Sequence, residues 1–124
     1  MTLALSRIIF YVHDVNLLKA FYVRHFDLSI VEEIEPEWAV MQAGAIEIAL
    51  HRVGRAYRGG QAPYTALSNT KLVFTLAFGL AERREQMISA GIAMRDLKRY
   101  DGFPYLLCDG EDPEGNVFQL MQHD

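Results

Sequence analysis

The chain has 124 residues, 51% of them hydrophobic, enough for one domain with a core of its own. Its 16 acidic residues outnumber its 12 basic ones and no basic stripe runs through it, so nucleic acid is not an expected partner. A single cysteine, Cys108, excludes an intrachain disulfide framework and fits a reducing compartment. Met1 to Arg7 does not read as a secretory leader and no apolar run reaches membrane-spanning length, so a cytoplasmic location away from membranes is expected.

Ser6 to His13 predicts a strand with Ile8, Phe10 and Val12 on one face and Arg7, Ile9, Tyr11 and His13 on the other. Asp14 is placed to cap a helix in which Val15, Leu18, Phe21, Tyr22 and Phe26 recur at helical spacing. Asp27, at the helix end, is a residue that tolerates the left-handed conformation. Leu28 to Glu35 reads as a strand whose carboxylates suggest an edge or an exposed face, and Pro36 ends it. Trp38 to Gln42 is a third strand, Ala43-Gly44 a turn, and Ala45 to Val53 the clearest strand of all. There Ile46, Ile48 and Leu50 face one way, and Glu47, Ala49 and His51 the other. Gly54 to Asn69 is a loop, long for a compact domain and so a linker or a functional flap.

The order then repeats. Lys71 to Phe78 predicts a strand with Leu72, Phe74 and Leu76 on one face. Leu80 to Ala90 predicts a helix with Leu80, Met87 and Ile88 on one side, stopped by Gly91. A weak strand over Ile92 to Lys98, a turn at Gly102-Phe103-Pro104, a strand from Tyr105 to Asp109 and a last strand from Val117 to Gln122 follow. Before that last strand, Pro113 presets a turn and Gly115 allows positive φ. Each half therefore reads strand, helix, three strands, a βαβββ module that cannot bury both faces of its sheet alone.

Several stretches in this order resemble the vicinal oxygen chelate superfamily of glyoxalase I, extradiol dioxygenases and bleomycin-resistance proteins. Val12-His13-Asp14 resembles its opening strand and cap. Phe21 to Leu28 resembles F-Y-x-x-x-L-G-L with Asp27 in place of Gly. Ala45-Ile46-Glu47-Ile48 resembles its Glu-bearing strand, and Ser89-Ala90-Gly91 its second helix end. Asp112-Pro113-Glu114-Gly115 resembles the D-P-x-G that opens D-P-x-G-x-x-x-E, with Gln119 where that motif closes on Glu. The resemblance covers nearly the whole chain. It implies an α+β fold: one domain, residues 1–124, with a first module over about 6–53, the loop 54–69 and a second module over 70–122. The modules would form one curved mixed sheet with helices on the convex face and a trough on the concave face. A homodimer is expected from the resemblance alone.

The superfamily's metal enzymes place His and Glu ligands on inward faces of the sheet. Carried over one position at a time, the ligands correspond to Arg7, Glu47, Lys71 (or Leu72, counted back from Gly91) and Gln119. Arginine has no lone pair to donate, and one carboxylate with one amide makes no tight transition-metal site, so no metal or other cofactor is expected. Arg7, Glu47, Lys71 and Gln119 would instead converge on the trough, either as a structural Arg7–Glu47 salt bridge or as a ligand site. Two cations against one carboxylate would leave a formal surplus of +1, suited to an anionic small molecule. Tyr11 shares Arg7's face, and Trp38, Phe103 and Tyr105 would line the trough, although each also suits ordinary sheet core. Arg55, Tyr57, Arg58 and Tyr64 could close over a ligand or simply be solvated.

Three functions remain open at this point. One is a small-molecule-binding protein of the bleomycin-resistance type. Another is a metal-dependent lyase, isomerase or dioxygenase with shifted ligands His13, Glu47 and His51. The third is a metal-free enzyme with Glu47 as catalytic base. His25 and His123 are expected to be exposed. Cys108 has no His partner to make it a nucleophile, and Gly59-Gly60 lacks the setting of a phosphate loop.

Overall fold

The structure is a computed structural model and describes residues 1–59 and 65–124. The chain divides into two compact units, Met1–Tyr64 and Thr65–Asp124. In the first, the elements run β1 (Arg7–Val12), α1 (Val15–Phe26), β2 (Ser29–Ile34), β3 (Trp38–Ala43) and β4 (Ile46–Arg52). The second holds β5 (Leu72–Leu76), α2 (Leu80–Ser89), β6 (Tyr105–Glu111) and β7 (Val117–His123). Each unit has one helix and one mixed sheet, in the orders β1-β4-β3-β2 and β5-β7-β6. In both, the first strand pairs parallel to the last, β1 with β4 and β5 with β7. The architecture is the expected α+β arrangement of two similar modules.

Local chemistry accounts for the element ends. Asp14 accepts the Leu17 backbone N–H at 3.0 Å, satisfying one of the free donors of α1's first turn. Asp27 closes α1 in the left-handed conformation at φ 55°. Val15, Leu18, Phe21 and Tyr22 are buried on α1, which packs against β3 and β4. Strand β2 is the sheet edge and all six of its residues are exposed, as its carboxylates suggested. Lys19 on α1 ties it down by ion pairs to Glu33 and Glu35. In the second unit Leu80 and Met87 are the buried residues of α2, while Ile88 stays 40% exposed and off the core face.

The tight turn before β7 forms as predicted. Gly115 has φ 84°, and Asp112 Oδ1 accepts the backbone N–H groups of Glu114 and Asn116 at 2.9 and 3.0 Å. The strand expected over Ile92 to Lys98 does not form a ladder. Among the described residues its backbone pairs with β6 at two isolated bridges, Met94 to Gly110 and Lys98 to Leu107. The pairing slips by one residue between them, which leaves the intervening backbone out of register.

Candidate functional site

One face of each sheet is covered by its helix; the polar candidates lie on the other. In the first module the register sets Arg7 beside Glu47 and Gln42, Ile9 beside Ala49 and Val40, and Tyr11 beside His51 and Trp38. Arg7 and Glu47 pair closely: Nε and Nη2 both lie 2.9 Å from Glu47 Oε1. Their side chains are 32% and 27% exposed, so solvent screens the pair and it is worth roughly 1 kcal/mol or less. The Arg7 guanidinium also sits 5.7 Å from the Trp38 ring centre, within cation–π range. Trp38 and Tyr11 both meet His51 edge to face, at 5.6 and 5.1 Å, and the Trp38 indole N–H donates to Glu32. Tyr11 itself is exposed.

The second module gathers its polar groups around a residue that sequence reasoning missed. Asp109 accepts from Lys71 Nζ at 2.9 Å and from Gln119 Nε2 at 3.0 Å, and Arg95 Nη1 lies 3.6 Å away. Gln119 faces Asp109 across the β6–β7 ladder, so strand register brings the amide and the carboxylate together. The alternation put Asp109, at the end of a predicted strand, on the face opposite Cys108, but gave no sign of its partners. Burial would push its carboxyl up, but hydrogen bonds from Lys71 and Gln119 and the charges of Lys71 and Arg95 outweigh that and hold it below the ordinary carboxylate value. These groups, with Lys98 and Tyr100, line a recess of about 290 Å³ that is partly open solvent.

Because the folded state favours ionised Asp109, its contribution to stability is complete above the unfolded carboxyl pKa of about 3.9 and is lost as pH falls through the lower folded value. Asp109→Asn is therefore expected to cost stability at neutral pH, with the difference from the native chain shrinking below about pH 4. Denaturant melts of both proteins across that range measure it; a difference that grows on acidification would refute the assignment.

Other candidates fall elsewhere. Tyr105 is on β6 with Asp109 but four residues along, about 13 Å at the rise of a strand. It stacks between Phe103 and His123, at 5.8 and 5.5 Å, and does not line the recess. Cys108 is buried, and burial pushes its thiol up, which suits no nucleophilic role. His25, expected to be exposed, is half-buried with its ring 5.1 Å from Phe21, and burial lowers its pKa; His123 is exposed. Arg58 reaches back to the Val53 carbonyl and to Glu37, at 2.8 and 3.2 Å, while Arg55 and Tyr57 are exposed; Tyr64 lies outside the described residues.

The side chains present do not fit the metal that the resemblance implies. Arg7 has no lone pair to give and its guanidinium holds Glu47 Oε1. The parallel ladder sets Val73 opposite Gln119, as Arg7 is opposite Glu47, so the matching position in the second module is neither Lys71 nor Leu72. Val73 has no donor atom. Glu47 and His51 stand four residues apart on β4, about 13 Å, too far to share an ion. Among the described residues no three His, Cys, Asp or Glu side chains form a group able to hold a metal ion.

No protein-family model matches the sequence, and no curated protein matches it. Solved structures do. The chain is similar to lactoylglutathione lyase from Agrobacterium tumefaciens, with 17% identity and a TM-score of 0.76 over 96% of this chain and 92% of that one. It is similar to a genomically encoded fosfomycin resistance protein from Listeria monocytogenes, with 16% identity and a TM-score of 0.77 over 100% and 96%. A possible glyoxalase from Bacillus cereus follows, with 14% identity and a TM-score of 0.73 over 97% and 99%. The architecture is thus a glyoxalase-like fold. At these identities the likeness fixes the fold; function must be argued from the side chains.

Proposed function

We propose that this chain is a small-molecule-binding protein of the glyoxalase and bleomycin-resistance type that takes an anionic ligand through its own fixed cations. The observation that carries this reading is Arg7 on Glu47, a guanidinium at 2.9 Å from the carboxylate that the resemblance makes a metal ligand. Lys71, Arg95 and Lys98 around Asp109 support it from the second module. Arginine and lysine in a partly enclosed site favour carboxylate or phosphate groups. The neighbouring folds whose names refer to glyoxalase and to fosfomycin resistance fit a small-molecule role. In this reading the protein is cytoplasmic and works as a homodimer; among the described residues no helix is long and apolar enough to cross a membrane.

A thermal-shift panel of small carboxylates, phosphates and sulfate tests the reading, because a ligand that binds only the native state must raise the melting temperature. At least one anion is expected to raise it saturably, and Arg7→Ala or Lys71→Ala to reduce that rise. Arg7→Ala should still fold, since the exposed pair contributes little. If no anion shifts the melting temperature, the reading is wrong. Metal-supplemented protein that retains a stoichiometric ion, lost in Glu47→Ala, would replace it with the metal-dependent alternative.

A further inference from the structure

The irregular segment beside β6 does more than interrupt a ladder. Met94 faces Gly110, but Lys98 faces Leu107, so four residue steps on one side answer three on the other. Two hydrogen bonds fix the second bridge, Lys98 N–H to the Leu107 carbonyl at 2.8 Å and Leu107 N–H to the Lys98 carbonyl at 2.9 Å. Leu107 and Asp109 are two apart on β6 and share a face. Lys98, opposite Leu107, shares it too. Without the slip, Leu97 would stand opposite Leu107 and the lysine would point to the other side. A bulge that re-aims a side chain beside a site is a known use of this irregularity.

The charge balance gives Lys98 its significance. Lys71 is held by Asp109 at 2.9 Å, Arg95 by Glu111 at 3.2 Å, and Asp96 by Arg84 at 3.5 Å. Among the described residues no carboxylate lies within ion-pair distance of Lys98. Among the side chains that line the recess, Lys71, Arg95 and Lys98 stand against Asp96 and Asp109, a surplus of one positive charge, next to the half-exposed Tyr100 ring and the buried Leu107 side chain.

Resting on the anion-binding reading above, we infer that the recess of the second module binds a single-ring monocarboxylate, its carboxylate on Lys98 and its ring against Tyr100 and Leu107. One free cation matches one negative charge. A dianion such as a phosphate monoester would need a second, obtained only by breaking the Lys71–Asp109 or Arg95–Glu111 pair, and it would meet the Asp109 carboxylate as a like charge.

Amide NMR titrations of the full chain with benzoate, phenyl phosphate and methyl benzoate, at fixed ionic strength, test this near pH 7.5, where phenyl phosphate is almost wholly dianionic. Benzoate is expected to shift the Lys98, Tyr100, Asp109 and Gln119 amides saturably, more tightly than phenyl phosphate, with methyl benzoate inert. Lys98→Gln should weaken benzoate about tenfold, as loss of a charge-assisted hydrogen bond requires, and Lys98→Arg should keep most of the affinity. Arg99→Gln, whose guanidinium pairs with Asp124 at 2.8 Å, should change nothing. Tighter binding of phenyl phosphate, or benzoate binding indifferent to Lys98→Gln, overturns the monocarboxylate assignment while leaving anion binding standing. If no anion, including those of the thermal-shift panel, perturbs any amide of the chain, both readings fall.

Discussion

Truncating Phe118 to alanine is expected to destabilise the protein by about 3–5 kcal/mol, the usual cost of removing a large aromatic ring from a core. Phe118 is 0% exposed, on the central strand of its sheet, between Leu72 of β5 and Gly110 of β6. Its neighbours cannot collapse into the space, because Leu72 and Gly110 are fixed by ladders on both sides. Urea unfolding should show the midpoint falling with an unchanged slope. A loss of less than about 1 kcal/mol would mean that the ring is far less enclosed than its burial indicates.

Gly110→Ala should be almost as damaging, about 2–3 kcal/mol, for the opposite reason. Gly110 needs no unusual backbone angle; what it needs is space. A Cβ there would run into Met94 Sδ and lie 2.5 Å from Phe118 Cζ. The thioether is flexible and can swing aside, but the Phe118 ring is locked in the core. Met94→Ala should therefore rescue Gly110→Ala only in part. Phe118→Ala opens the space the new methyl needs, so the double variant Gly110→Ala/Phe118→Ala should lose clearly less than the two single losses combined. Strict additivity would show that the methyl does not meet the ring. Because the Met94–Gly110 bridge anchors the segment that carries Lys98, Gly110→Ala should also weaken any ligand held in the recess, an effect visible in the same titrations.

Much of the fold was legible in the sequence because its signals are local. Asp14 announces a helix start since its carboxylate can reach a free N–H one turn on, and it does so at 3.0 Å. Pro113 and Gly115 announce a turn through their own φ preferences. The alternation of Ile46 to Leu50 with Glu47 to His51 fixes which face each side chain takes. The strand over Ile92 to Lys98 failed because its register depends on a residue outside it. Met94 can approach β6 only where Gly110 has no side chain, and nothing within 92–98 encodes that.

The candidate site divides in the same way. The Arg7–Glu47 pair was readable, since both residues fall on one face and at one level of neighbouring strands. Asp109 was not, because its importance comes from Lys71, Arg95 and Gln119, which are scattered over 49 positions of chain (71–119) and meet only through the β6–β7 ladder and the segment folded beside it.

From the sequence alone come the two-module plan, the faces of the strands and the presence of arginine and glutamine where the resemblance expects metal ligands. These follow from short-range periodicity and the chemistry of single side chains. The tertiary structure alone decides which charges are paired, that Val73 stands opposite Gln119, and that a one-residue slip puts Lys98 on the face of β6 that carries Asp109. Register is set by distant packing, and a shift of one residue reverses the face a side chain presents.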